Sequence, residues 1–248
     1  MEGLGMSNKG FLDNYKHVFD PEGLYGGSQK KPELEPEKYA SIVRKYHPEY
    51  DDEQVQKCLH LLRTEGCGYV AMVNTVFLRF YGEEEEYKKH FGFPMYTPEG
   101  KLHFNDLIVD FYCATDNHNR YMWFDRVDPK EDETYENGFG TVVESREWRF
   151  ETYMKNHGVP VNVRTISCNL RYLDSFMKKG PVIVAVRPVV LYDKDANPVY
   201  DSSAGHAMTV TGSSENGLIR VSSWGEEYYI KPGSYSVHEN YQQVIYRK

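Results

Sequence analysis

The sequence predicts an α+β fold, helical in its first half and rich in sheet in its second. Apolar residues recur at helical spacing from Pro36 to about Lys179. After Gly180 the apolar runs become short and β-branched, bounded by turn residues. The two regimes follow one another instead of alternating, which argues against repeated βαβ units.

Residues 1–34 are punctuated by Gly23-Leu24-Tyr25-Gly26-Gly27-Ser28 and by prolines at 32 and 36, and read as a linker-like arm. That leaves 35–248 as one domain, and the arm is expected to join it to something longer or to be a tail. The first helix begins near Pro36 and places Tyr39, Ile42, Val43 and Tyr46 roughly on one face. A second follows Asp51-Asp52, with acids in its first turn and Val55, Cys58, Leu59 and Leu62 inward. A third runs from Cys67 to about Phe80 and ends at Tyr81-Gly82. Glu83 to Glu86 is a solvated helix start, since no histidine joins it to make a metal site. Phe104–Cys113 and Glu144–Asn156 read as helices, with a polar surface loop over 125–141 between them. Leu170–Lys179 is helical with Gly180 as its C-cap. Strands follow at Pro181–Val186, His206–Gly212, Leu218–Ser222, Tyr228–Ile230 and Gln242–Tyr246, with Asn216-Gly217 marking a hairpin.

Composition narrows the function. The 248 residues carry a net charge of −8 and no basic stripe interleaved with aromatics, so nucleic-acid binding has no footprint. No apolar run approaches ~18 residues, which leaves no transmembrane helix. The first 30 residues lack a secretory signal, so the expected location is cytoplasmic, or exported without such a signal. Four cysteines, at 58, 67, 113 and 168, show neither CxxC nor zinc-like spacing, and no metal or cofactor is expected. Cys58 and Cys113 fall on apolar helix faces and read as buried thiols; Cys168 reads as structural.

Cys67 differs because it stands between Gly66 and Gly68 at the mouth of an apolar helix. A thiol there sits in the positive end of the macrodipole, which favours thiolate and predicts a lowered pKa, within about 3.5–7.5. Glycine on both sides opens the sulfur to substrate and lets the chain turn sharply. At Gly205-His206-Ala207-Met208-Thr209-Val210 a lone histidine opens a buried β-branched run. Thiol and imidazole together make a nucleophile and base pair. Taken singly, each has a plainer reading as a packed core residue. His60 reads as a helix-face histidine, and His103, His118, His157 and His238 as exposed groups at element ends.

Four ordered segments resemble the papain-like cysteine peptidases, most closely the branch related to bacteriocin leader-processing peptidases. They are Glu65-Gly66-Cys67-Gly68 with Ala71-Met72 and Phe80-Tyr81-Gly82; Leu173–Gly180 running into Pro181–Val184; Gly205–Gly212; and Val221-Ser222-Ser223-Trp224-Gly225. The resemblance implies a papain-like fold, a nucleophile helix packed on an antiparallel sheet. It implies Cys67 as nucleophile, His206 as its base and later the acid, and the Cys67 backbone N–H as part of an oxyanion hole. It implies Trp224 as the shield of the ring's orienting hydrogen bond.

Two positions depart from the family. Ser222 stands where Asn or Asp usually orients the imidazole, which makes Ser222 the candidate orienter, with Ser223 and Asp201 behind it. Leu61 stands where an oxyanion glutamine is usual, with Gln56, Gln54 and Thr64 as substitutes. The implied function is a thiol hydrolase of peptide or isopeptide bonds, with a protein or peptide as substrate. The implied setting is the effector domain of a larger bacterial protein or toxin, with a parent protein or an inhibitory immunity partner. Glutamine deamidation or transglutaminase-like transfer uses the same pair, and a catalytically weak binding module is a third reading.

Overall fold

A computed structural model describes residues 26–115, 143–167, 170–213, 216–235 and 238–247. The expectations for the arm before Gly26, the loop over 125–141, His118 and Cys168 lie outside the described residues. Six helices come first: α1 (Pro36–Tyr46), α2 (Asp52–Glu65), α3 (Cys67–Phe80), α4 (Glu84–Phe91), α5 (Phe104–Thr115) and α6 (Val143–Asn156). Strand β1 (Val161–Ile166) and helix α7 (Leu170–Met177) lead into β2 (Val182–Arg187), β3 (Val189–Tyr192) and β4 (Pro198–Ser202). The chain closes with β5 (His206–Ser213), β6 (Ile219–Ser223), β7 (Glu226–Ile230) and β8 (His238–Tyr246). The strands form one antiparallel sheet in the order β1-β8-β2-β5-β6-β7-β3-β4, so the chain is α+β.

The sheet divides two cores. Along β2, Val182, Val184 and Val186 join Met208, Val210 and Val221 on one face, where Leu173 and Met177 of α7 also pack. Ile183 points the other way and joins Val161, Val163, Val244 and the helical core. This is the two-residue period of a strand buried on both faces. Helix α3 is buried from Gly68 to Leu78 and packs on β5 and β6 and on α4, α5 and α6. An all-round apolar sequence suits that central place.

Several details differ from the sequence reading. Strands β1, β3 and β4 were not foreseen; β4 is an exposed edge strand with no apolar alternation. Helix α7 ends at Met177, two residues early, and Gly180 is not a left-handed cap. Gly180 lies against the Val244 carbonyl oxygen, where an added Cβ would stand 2.1 Å away. Tyr228 and Tyr229 are both half-buried instead of alternating. The segment 26–34 is no loose arm: Ser28 and Gln29 are buried and Pro32–Leu34 forms a short 3₁₀ turn. Cys58 and Cys113 are buried free thiols with their Sγ atoms 3.8 Å apart. His60 sits half-exposed beside Glu33, whereas His103 and His157 are partly buried and bonded to Asp106 and the His90 carbonyl. No helix among the described residues is long and apolar enough to cross a membrane.

Candidate active site

Cys67 is the first residue of α3, and only Gly66 separates it from α2. Asp51 and Gln54 close a reciprocal capping box that fixes the start of α2. At the far end Gly66 has an ordinary φ of −73°, so left-handed geometry is not why glycine is needed. Space is the reason, because a Cβ there would stand 2.3 Å from the Leu62 carbonyl oxygen and 2.9 Å from Gln29 Cβ. The partly buried thiol meets the backbone N–H of Ala207, the residue after His206. The start of α3 and the start of β5 therefore meet at the thiol.

His206 opens β5 opposite Val186 and is buried. Its Nε2 lies 2.7 Å from Ser223 Oγ, and its ring stacks on Trp224 with centroids 4.4 Å apart and planes at 29°. Trp224 and Gly225 form the two-residue turn between β6 and β7, with Ser223 paired to Glu226. Both turn residues have positive φ, 52° for Trp224 and 84° for Gly225, the signature of a type I′ hairpin. A tryptophan in that region is strained by about 1–3 kcal/mol, and such strain gathers at functional sites. Tyr200 meets the Trp224 ring edge-on at 5.0 Å, and Lys30 Nζ stands 4.7 Å from its centroid.

Ser223, not Ser222, holds the ring. Adjacent residues of a strand point to opposite faces, and Ser222 pairs with Thr209 on the side facing α3. There Asn74 of α3 donates through Nδ2 to Thr209 Oγ1 at 3.1 Å and to Ser222 Oγ at 3.5 Å. Asn74 Oδ1 accepts from the Gly27 backbone at 3.2 Å, and Thr209 Oγ1 donates to the Ala71 carbonyl at 3.2 Å. This buried polar cluster ties α3, β5, β6 and the 26–27 segment together, and sequence periodicity gave no hint of it. Asp201 is exposed on β4 and makes no hydrogen bond to the ring.

The three substitutes for an oxyanion side chain are all engaged elsewhere. Gln56 donates to the Glu33 carbonyl, Gln54 serves the α2 capping box, and Thr64 bonds the Leu61 carbonyl. Gln29 is buried against Gly66, the residue before Cys67. Its Oε1 is buried with no hydrogen-bond partner, and its amide makes no side-chain hydrogen bond among the described residues. An unsatisfied buried acceptor calls for a donor. Its sequence signal, a glutamine after Gly26-Gly27-Ser28, was masked because two helices intervene before Cys67.

Electrostatics contradict the expected lowered thiol pKa. Burial pushes the Cys67 thiol up, outweighing the opposite pulls of the Ala207 N–H, the Arg146 guanidinium and the helix-start amides. Burial, then the Lys30 ammonium, push His206 down to about 3. The two groups rest as neutral thiol and neutral imidazole. No hydrogen bond joins them, and Nδ1 of His206 bonds nothing among the described residues. Arg146 is itself buried, its Nε donating to Gln242 Oε1 at 2.6 Å. Among the described residues no cluster of three or more His, Cys, Asp or Glu side chains is placed to hold a metal ion. The chain matches no model of a known family, and a search of curated proteins finds no match to it.

Proposed function

We propose that this chain is a papain-like thiol hydrolase acting on peptide or isopeptide bonds, with Cys67 as nucleophile and His206 as base. The observation that carries the reading is the dressing of the imidazole: Ser223 on Nε2, Trp224 across its face, and the thiol against the next backbone amide. A donor bond from Nε2–H to Ser223 leaves Nδ1 unprotonated and open as the basic atom, a tautomer assigned from the network. In that reading the Cys67 sulfur attacks the carbonyl carbon while its proton passes to Nδ1. The carbonyl oxygen becomes an oxyanion held by the Cys67 N–H and the Gln29 amide. Collapse breaks the C–N bond, and Nδ1 returns the proton to the leaving amine. Water then attacks the thioester with Nδ1 again as base, releasing the acid and restoring the thiol.

A resting neutral pair without a direct hydrogen bond favours a second reading, a binding module with residual thiol chemistry. Incubation of wild type and Cys67→Ala with a pool of denatured proteins, with new N-termini read by mass spectrometry, separates the two. Cleavages confined to the wild type are expected. Identical N-termini for both proteins refute peptide-bond hydrolysis, and ammonia release without new N-termini assigns deamidation or acyl transfer at glutamine.

A further inference from the structure

A cavity of about 280 Å³ is lined by Gly26–Ser28, Trp224 and Gly225, and its Trp224 is the ring that stacks on His206. Its lining concentrates bases in a protein whose net charge is −8: Lys31, Lys38, Lys101 and His103 face Asp106 alone among acids. Asp106 is already answered by His103 at 2.9 Å. Lys38 pairs with Glu35 at 3.3 Å across open solvent, a contact that holds it weakly. Glu99 lies nearby, bonded by Thr97 and close to Lys101 and His103, and does not line the cavity. The rest of the lining sets Tyr39, Phe104 and Trp224 among glycines and small polar residues.

We propose that this cavity is a substrate subsite for an acidic peptide segment, with carboxylates on the lysines and the aliphatic stems on the aromatic rings. The proposal rests on the reading of the Cys67 site as one that takes a peptide. A peptide is favoured over a free anion because Trp224, which lines the cavity, also stacks on the His206 ring. Its volume, near the low end of ligand sites, suits one or two side chains. Tyrosine and tryptophan faces suit the CH₂ stems of Glu, while lysines attract its charge.

The test uses the Cys67→Ala protein, so binding is read without turnover. It is titrated with a capped Asp-Glu-containing peptide, the matching Asn-Gln peptide and inorganic phosphate, following the Trp224 indole resonance. The acidic peptide alone is expected to saturate the shift, and Lys31→Glu with Lys101→Glu to weaken it about tenfold or more. Lys31→Gln with Lys101→Gln, an uncharged pair checked for native circular dichroism, is expected to weaken it as well. Equal binding of both peptides, binding of phosphate alone, or no shift with any probe overturns the subsite. If wild-type protein hydrolyses acidic and neutral substrates equally well, only the subsite falls. If the acidic peptide binds and nothing is ever cleaved, only the hydrolase reading falls.

Discussion

Two neighbouring hydroxyls at the end of β6 have separate duties, and substitution separates them. Ser223 touches the imidazole, so Ser223→Ala is expected to lower kcat about tenfold or more, by steady-state kinetics, and to destabilise by about 1–3 kcal/mol because the buried Nε2–H loses its acceptor. Ser222→Ala instead removes an acceptor from the Asn74 cluster and is expected to destabilise by about 1–3 kcal/mol in denaturant unfolding. Gln29→Ala is expected to reduce kcat by about 10²–10³ through loss of the Nε2–H donor to the oxyanion. The raised thiol pKa has its own signature. Iodoacetamide labelling of Cys67 is expected to increase with pH through and beyond the ordinary thiol value, with no thiolate plateau near pH 5. A plateau there would show an ion pair in place of the neutral resting state. The helix-terminus rule placed Cys67 at a helix start, where the structure has it. It missed the sign of the shift because burial depends on which strand covers the sulfur.

At the scale of elements, long periodic helices were legible and short or exposed strands were not. Helices α2 and α3 matched their sequence bounds because caps and apolar faces are local features. Strand β4, with an edge position and exposed side chains, carries no pattern for sequence to display. The joint at Gly66 was visible as a glycine, but its reason was not, since that reason is the Leu62 carbonyl and Gln29 from two other segments. Gly66→Ala must therefore shift backbone, and a loss of about 1–3 kcal/mol is expected in thermal or denaturant unfolding. No loss would show that the junction relaxes freely.

For the whole molecule, the buried imidazole couples folding to pH. His206 is pushed from an ordinary 6.5 to about 3, so between those values the unfolded chain binds a proton that the folded chain refuses. Its contribution is intact above pH 6.5 and is lost as pH falls toward 3, by at most about 1.4 kcal/mol per pH unit. Urea unfolding at pH 7, 5.5 and 4.5 is expected to show that decline, and His206→Gln to flatten it. An unchanged slope in the variant would assign the acid sensitivity to other groups. The pairing of a thiol helix with a histidine strand was readable from residue order. The partner of the ring was not, because adjacent serines differ only in which side of the sheet they face.

The tight bend at residues 224 and 225 sets foldability against chemistry. Asparagine tolerates left-handed backbone far better than an indole does, so Trp224→Asn is expected to raise the melting temperature while exposing the imidazole to water and depressing turnover. A chain evolved for robustness alone would discard the bulky ring at that corner. In the proposed hydrolase, that corner gives up stability to keep the imidazole dry.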